Sequence, residues 1–212
     1  MAKAPTARRR RLQGDKEAVR ERVLEAAFAA FVKNGYAATS TLDIATRARV
    51  SKRELYALVG NKEQMLVACI TRRATRLRVP SELPVPQDRE TLARVLESFG
   101  TQLLREVSDP AVIAVFRLAI GEATHAPEVA QALNSVGREA VRTALREIMT
   151  RAHAAKLLEG SAAELSEQFL ALLWGNLRLE LLLGLVDQPS APDLAARAHK
   201  ATGAFIQLHS LP

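Results

Sequence analysis

The residues best suited to chemistry fall in one short run. Ser51-Lys52-Arg53 is followed by Tyr56 about one helical turn later. A lysine or arginine in the opening turn of a helix can donate to guanine O6 and N7, a contact worth about 1–3 kcal/mol of discrimination between bases. A tyrosine hydroxyl one turn deeper suits a phosphate. Thr41 and Lys62 stand at helix starts of their own, where a hydroxyl or ammonium can join the free amides in holding a phosphate. With Ser40 and Arg49 these form the candidate DNA-contacting set: Ser40, Thr41, Arg49, Ser51, Lys52, Arg53, Tyr56 and Lys62. Arg47 reads better as part of a solvated face.

Other constellations are weaker. Glu122-x-x-His125 has the spacing of helical-bundle di-iron sites, but such a site needs two of these motifs and two further carboxylates. His153, His199 and His209 have no Glu three residues earlier, so no metal is expected and His125 reads as a helix-end residue. Cys69 is the chain's one cysteine; its apolar neighbours and the lack of a nearby His point to a buried thiol. No nucleophile elbow, P-loop or dinucleotide fingerprint occurs, so neither a cofactor nor an enzyme is expected.

Charge singles out the same region. Residues 1–62 hold 14 Lys and Arg against 6 Asp and Glu, a net of +8, while residues 63–212 hold 16 against 17. A basic head on a neutral body points to one module meeting a polyanion, with nucleic acid the leading partner. Arg8 to Arg11 supply four of these charges, and the head stays at +4 without them.

The elements that must position these residues are helices. Over 212 residues the chain is 48% hydrophobic and only 4% aromatic, and Ala, Leu, Arg and Glu dominate, side chains that lose little freedom in a helix. The expected fold is all-α, about nine helices, in one or two domains. Residues 1–14 read as a flexible basic arm. Val19, Val23, Ala26, Ala27, Ala30 and Phe31 then recur at helical steps until Asn34-Gly35 stops the pattern. Ser40-x-x-Asp43, Ser51-x-x-Glu54 and Asn61-x-x-Gln64 are three capping signals in quick succession. They leave room for short helices at about 41–48 and 51–58 joined by a tight turn, the helix-turn-helix arrangement or any small helical hairpin. A fourth helix is expected over 62–78. Pro80, Pro84 and Pro86 then mark a linker at 79–87, separating a DNA-binding domain at 15–78 (motif about 40–59) from a domain at 88–212. The second domain reads as helices at 88–107, 110–124, 127–155, 162–185 and 193–208.

These motifs, taken together, resemble the TetR family of bacterial transcriptional regulators. The elements that carry the likeness are Gly35-Tyr36, Ser40, Asp43-Ile44-Ala45, Val50-Ser51, Leu55-Tyr56 and Lys62-Glu63. Arg49 departs from the glycine common at the turn, and Leu58-Val59 from the aromatic pair common after the tyrosine. Phe116-Arg117-Leu118 through Glu122, with Ala126-Pro127-Glu128, looks like the AefR-like class of C-terminal domains. The resemblance implies a homodimeric repressor with a palindromic double-stranded DNA operator, and a small-molecule effector that lowers its affinity by linkage.

The stretch Leu165 to Leu185 is apolar on more than one face, so one face is expected to meet a second copy of the chain through Phe169, Leu172, Leu177 and Leu181. An apolar or amphipathic effector is expected against Phe99, Leu103, Phe116, Ile120 and Trp174, positions that plain core packing would also explain. No segment is apolar enough to span a bilayer and the N-terminus lacks a secretory pattern, which points to a soluble, cytoplasmic protein. Two rival readings remain: a DNA-binding protein that needs no effector, and a helical-bundle enzyme with a bound metal or cofactor.

Overall fold

The computed structural model describes the backbone of residues 7–74 and 86–209, and the side chains of residues 14–72 and 86–209. Residues 1–6 of the expected arm and 79–85 of the expected linker lie outside the described residues. The helices are α1 Ala7–Asn34, α2 Thr41–Ala48, α3 Lys52–Val59, α4 Lys62–Ala74, α5 Arg89–Val107, α6 Pro110–Gly121, α7 Pro127–Ala132, α8 Glu139–Ala154, α9 Ala162–Trp174, α10 Leu177–Leu183 and α11 Ala191–Leu208, and a π-helical turn, Leu133–Arg138, joins α7 to α8. There is no strand among the described residues, and none of these helices is long and apolar enough to cross a membrane.

Three boundaries differ from expectation. α1 begins at Ala7, inside the stretch expected to be a flexible arm. Its first residues are good helix formers, so propensity extends the helix where no apolar period signals it. The helix expected over 127–155 is interrupted by the wide turn at Leu133–Arg138, which includes Asn134 and Gly137. The helix expected over 162–185 breaks at Gly175 (φ 43°), and Arg197 Nη1 donates to the carbonyl of Trp174 at 3.2 Å, satisfying an acceptor that the break frees.

The chain forms two compact units. The first comprises the described residues up to Arg72 together with Leu118–Leu133; the second comprises those of Arg73–Arg117 and Asn134 onward. The division falls within α6, so Leu118–Leu133, expected in the domain after the linker, belongs to the first unit. There, α1 buries Val23, Leu24, Ala27, Ala30 and Phe31 and packs on α2, which buries Ile44, Ala45 and Ala48, and on α3, which buries Leu55; Met65 and Leu66 of α4 are buried in the same unit. The Cys69 thiol is buried and donates to the Leu24 carbonyl at 3.4 Å, as a packed thiol would.

In the second unit α5 packs on α11, and α9 packs on both α8 and α11. Phe169 and Phe205 meet edge to face at 5.5 Å in its core. This packing corrects the expected dimer residues. Phe169, Leu177 and Leu181 are buried in the unit's own core and Leu172 packs against it, so the apolar faces of this stretch are largely satisfied within one chain. The apolar side chains that remain exposed nearby are Leu179, Leu183, Leu185 and Val186. Phe99 and Leu103 are likewise core residues, with Phe116 and Trp174 half-buried against the same core. Ile120 is 63% exposed and belongs to the first unit, so the five expected effector-lining residues do not share one unit.

Candidate nucleic-acid interface

Local capping sets the geometry of α2 and α3. Ser40 Oγ accepts from the Asp43 amide at 3.0 Å and Ser51 Oγ from the Glu54 amide at 3.1 Å. Asn61 and Gln64 cap α4 reciprocally, each side-chain oxygen accepting from the other's amide at 2.8 Å. Between α2 and α3, Arg49 takes up the left-handed conformation (φ 53°, ψ 48°) that glycine would adopt without strain. Its amide and that of Val50 donate to the Thr46 and Ala45 carbonyls, closing α2. The turn therefore closes with arginine in the left-handed position.

On this scaffold Leu55 is buried, whereas Ser51, Lys52, Arg53 and Tyr56 are exposed together at the start of α3. Lys52, Arg53 and Arg49 make no ion pair among the described residues, so their charge is unneutralised. Thr41 Oγ1 and the Tyr56 hydroxyl lie 3.2 Å apart and join the start of α2 to α3. Arg47 is engaged otherwise: its Nε donates to both Asp43 carboxylate oxygens at 3.1 and 3.2 Å, as expected of a solvated face. Lys62 departs from expectation. Its Nζ donates to the Tyr36 and Ala37 carbonyls at 3.1 and 3.3 Å and lies 4.5 Å from the centre of the Tyr36 ring. The ammonium thus fastens the α1–α2 corner rather than waiting at a helix start.

The N-terminal part, residues 23–69, matches the family described as bacterial regulatory proteins, tetR family. Residues 94–209, more than half of the chain, match the C-terminal domain of AefR-like transcriptional repressors. The chain belongs to the TetR family. Among relatives, the HTH-type transcriptional repressor Rv3405c of Mycobacterium tuberculosis is 31% identical over 109 residues, which are 51% of this chain and 57% of that protein. The chain thus spans little more than half of the length of that relative. A TetR transcriptional regulator from Agrobacterium tumefaciens superposes with a TM-score of 0.74 at 29% identity, over 90% of this chain and 94% of the other. The flavonoid-responsive regulator FrrA gives 0.75 at 29% identity, over 92% and 98%.

In this TetR-family chain two further residues hold the helix-turn-helix in place, and sequence reasoning missed both. Arg22 of α1 donates from Nε to the Ala48 carbonyl at 2.9 Å, a cation on the last turn of α2. Glu122, whose spacing to His125 suggested a metal motif, instead accepts from the Ala37 amide at 3.1 Å. Gly35 has a φ of 83°, a conformation that favours glycine, and a Cβ there would lie 2.9 Å from the same Glu122 oxygen and displace it. Arg22 and Glu122 reach partners 26 and 85 residues away, and no local motif reports such contacts. The corner is acidic as well as buried. Burial pushes the Tyr36 phenol up to about 12, helped by the charges of Glu128 and Glu63, a hydrogen bond to Glu128 and the charge of Glu122.

Proposed function

We propose that this chain is a homodimeric repressor that occupies a palindromic operator and leaves it when a small-molecule effector binds the second unit. The single observation behind this reading is the capped α2–α3 pair with Arg49, Lys52 and Arg53 exposed and unpaired. A helix of that kind can enter a major groove with its first turn at the base edges, where Lys52 or Arg53 reads guanine. The Thr41–Tyr56 hydroxyl pair and Ser40 hold phosphate beside it. The second copy joins through the α9–α11 end of the second unit, where Leu179, Leu183, Leu185 and Val186 are exposed. An effector that favours a dimer with the wrong spacing between its two α3 helices weakens operator binding by the same factor that DNA weakens effector binding. FrrA, a protein of similar fold, is a flavonoid-responsive regulator, which suits an aromatic effector here too. The site of action is the bacterial cytoplasm.

The test is a selection of binding sites from randomised duplexes by the full chain, followed by affinity measurements against salt. The expected outcome is a site of two inverted halves and a log–log slope of about −0.9 per neutralised phosphate. Selection of no preferred sequence, or a slope that vanishes when Arg8 to Arg11 are removed, would leave only a sticky arm and refute the reading.

A further inference from the structure

Arg178, on the first turn of α10, is a half-buried cation with no acceptor. Its guanidinium carbon lies 4.9 Å from the centre of the Phe116 ring. Comparable arginines of the second unit are all engaged. Arg142 Nε pairs with Glu167 at 2.9 Å, Arg117 donates to the Leu181 and Leu182 carbonyls at 2.9 and 3.0 Å, and Arg197 caps α9. For Arg178 neither carboxylate nor carbonyl is in reach among the described residues. The charge that acts on it is a second cation, Arg138, and burial and that repulsion both disfavour its charged form. Arg138 closes the π-helical turn Leu133–Arg138, a widened turn of the kind found often at functional sites. A half-buried guanidinium over an aromatic ring, with a second cation acting on it, is unfavourable unless an anion completes the arrangement.

We propose that Arg178 and Arg138 seat the carboxylate of the effector, so that the ligand class is an organic acid with an aromatic or aliphatic body. This rests on the reading that the second unit binds an effector, and it adds the chemistry that recognises it. A guanidinium offers a planar pair of donors matched to the two carboxylate oxygens, and the Phe116 ring holds that plane in place.

Calorimetric titration of the full chain with cinnamate and octanoate, and with the neutral cinnamamide and octanamide, tests the seat. The acids are expected to bind at least about tenfold more tightly than the amides, as hydrogen bonds to a charged group would give. Arg178→Gln should erase that difference and Arg178→Lys should keep part of it. Arg138→Gln, at an exposed position, should weaken the acids about threefold, the effect of a screened neighbouring charge. If Arg178→Gln fails to melt cooperatively, the acid–amide ratio and Arg138→Gln decide. The proposal is overturned if no acid binds up to millimolar concentration, if acids and amides bind alike, or if folded Arg178 and Arg138 variants keep the full preference. Operator release, followed separately by fluorescence anisotropy on a selected duplex, keeps the two ideas apart. Acid binding without release refutes effector control and leaves the seat standing; release by a neutral compound, without preference for acids, does the reverse.

Discussion

The start of α3 and the helix ends of the second unit use cations in opposite ways. At the start of α3 the first unit leaves Lys52 and Arg53 in solvent with no ion pair, and Arg49 beside them holds a left-handed backbone in the turn. In the second unit the arginines close helices and bridge them: Arg146 pairs with Glu139 at 3.2 Å, Arg151 with Glu147, and Arg197 and Arg117 with helix-end carbonyls. The sequence charge leans the same way, with a net of +6 on the residues of the first unit and +1 on those of the second. Unpaired surface cations add nothing to folding, whereas paired ones add a little. The surplus of the first unit is therefore explained by a partner outside the chain, and Arg178, half-buried in the second unit without an acceptor among the described residues, invites the same explanation on a smaller scale.

The largest expected effect breaks or upholds that division directly. Lys52→Ala or Arg53→Ala should cost about 1–3 kcal/mol at one base position of the selected duplex and relax the choice of base there. Arg142→Ala and Arg146→Ala remove as much charge but take it from ion pairs, so they should leave the selected site unchanged and lower stability by about 1 kcal/mol or less. Repeating the site selection with each variant, beside a thermal melt, checks both halves. If the Arg142 and Arg146 variants shift the site as much as the Lys52 and Arg53 variants, charge location carries no meaning here.

What could be read in advance, and what could not, follows the reach of each interaction. The caps at Ser40, Ser51 and Asn61 are contacts over three residues, and all three form as the sequence indicated. Helix type followed from composition and apolar spacing for the same reason. The period of Phe169, Leu177 and Leu181 announced burial but not the surface that buries them, and that surface turned out to be their own unit. Lys62 was legible as a helix start, yet its ammonium goes to carbonyls 25 and 26 residues away. Glu122 crosses 85 residues to the Ala37 amide, a contact that no local spacing reports. The helix breaks at Gly175 and at Leu133–Arg138 were missed because strong flanking helix formers masked them.

Glycine gives a second contrast between the units. Gly35 has a φ of 83° and a Cβ there would press on Glu122, so Gly35→Ala should destabilise the first unit by about 1–3 kcal/mol. Gly203 lies within α11 with open space where a Cβ would stand, so Gly203→Ala should stabilise the second unit by about 0.5–1 kcal/mol. Denaturant melts of the two variants give the signs. Equal and small effects would show that the corner at Gly35 tolerates a side chain, and with it a shift of Glu122 away from the Ala37 amide.

The smallest expected effect concerns the chain's two tyrosines, which lie at the corner and at the interface. Tyr56 is 43% exposed and among the described residues its hydroxyl bonds only Thr41, so Tyr56→Phe removes a group available to a phosphate. Every duplex sequence should then bind more weakly by about 0.5–1.5 kcal/mol, the worth of one hydrogen bond, with the selected site unaltered. The same variant leaves Tyr36 as the only phenol, so an absorbance titration at alkaline pH reads it alone. Its ionisation is expected at about 12, because burial and the carboxylates of Glu128, Glu63 and Glu122 oppose a phenolate. An unfolded tyrosine gives up its proton near 10. Between these values the unfolded chain releases a proton that the folded chain keeps, so stability at Tyr36 is intact below pH 10 and declines from there to about 12. Titration near 10 in the folded protein would mean that the acidic corner is open to water, and the distinction between a fastening tyrosine and a DNA-facing one would fail.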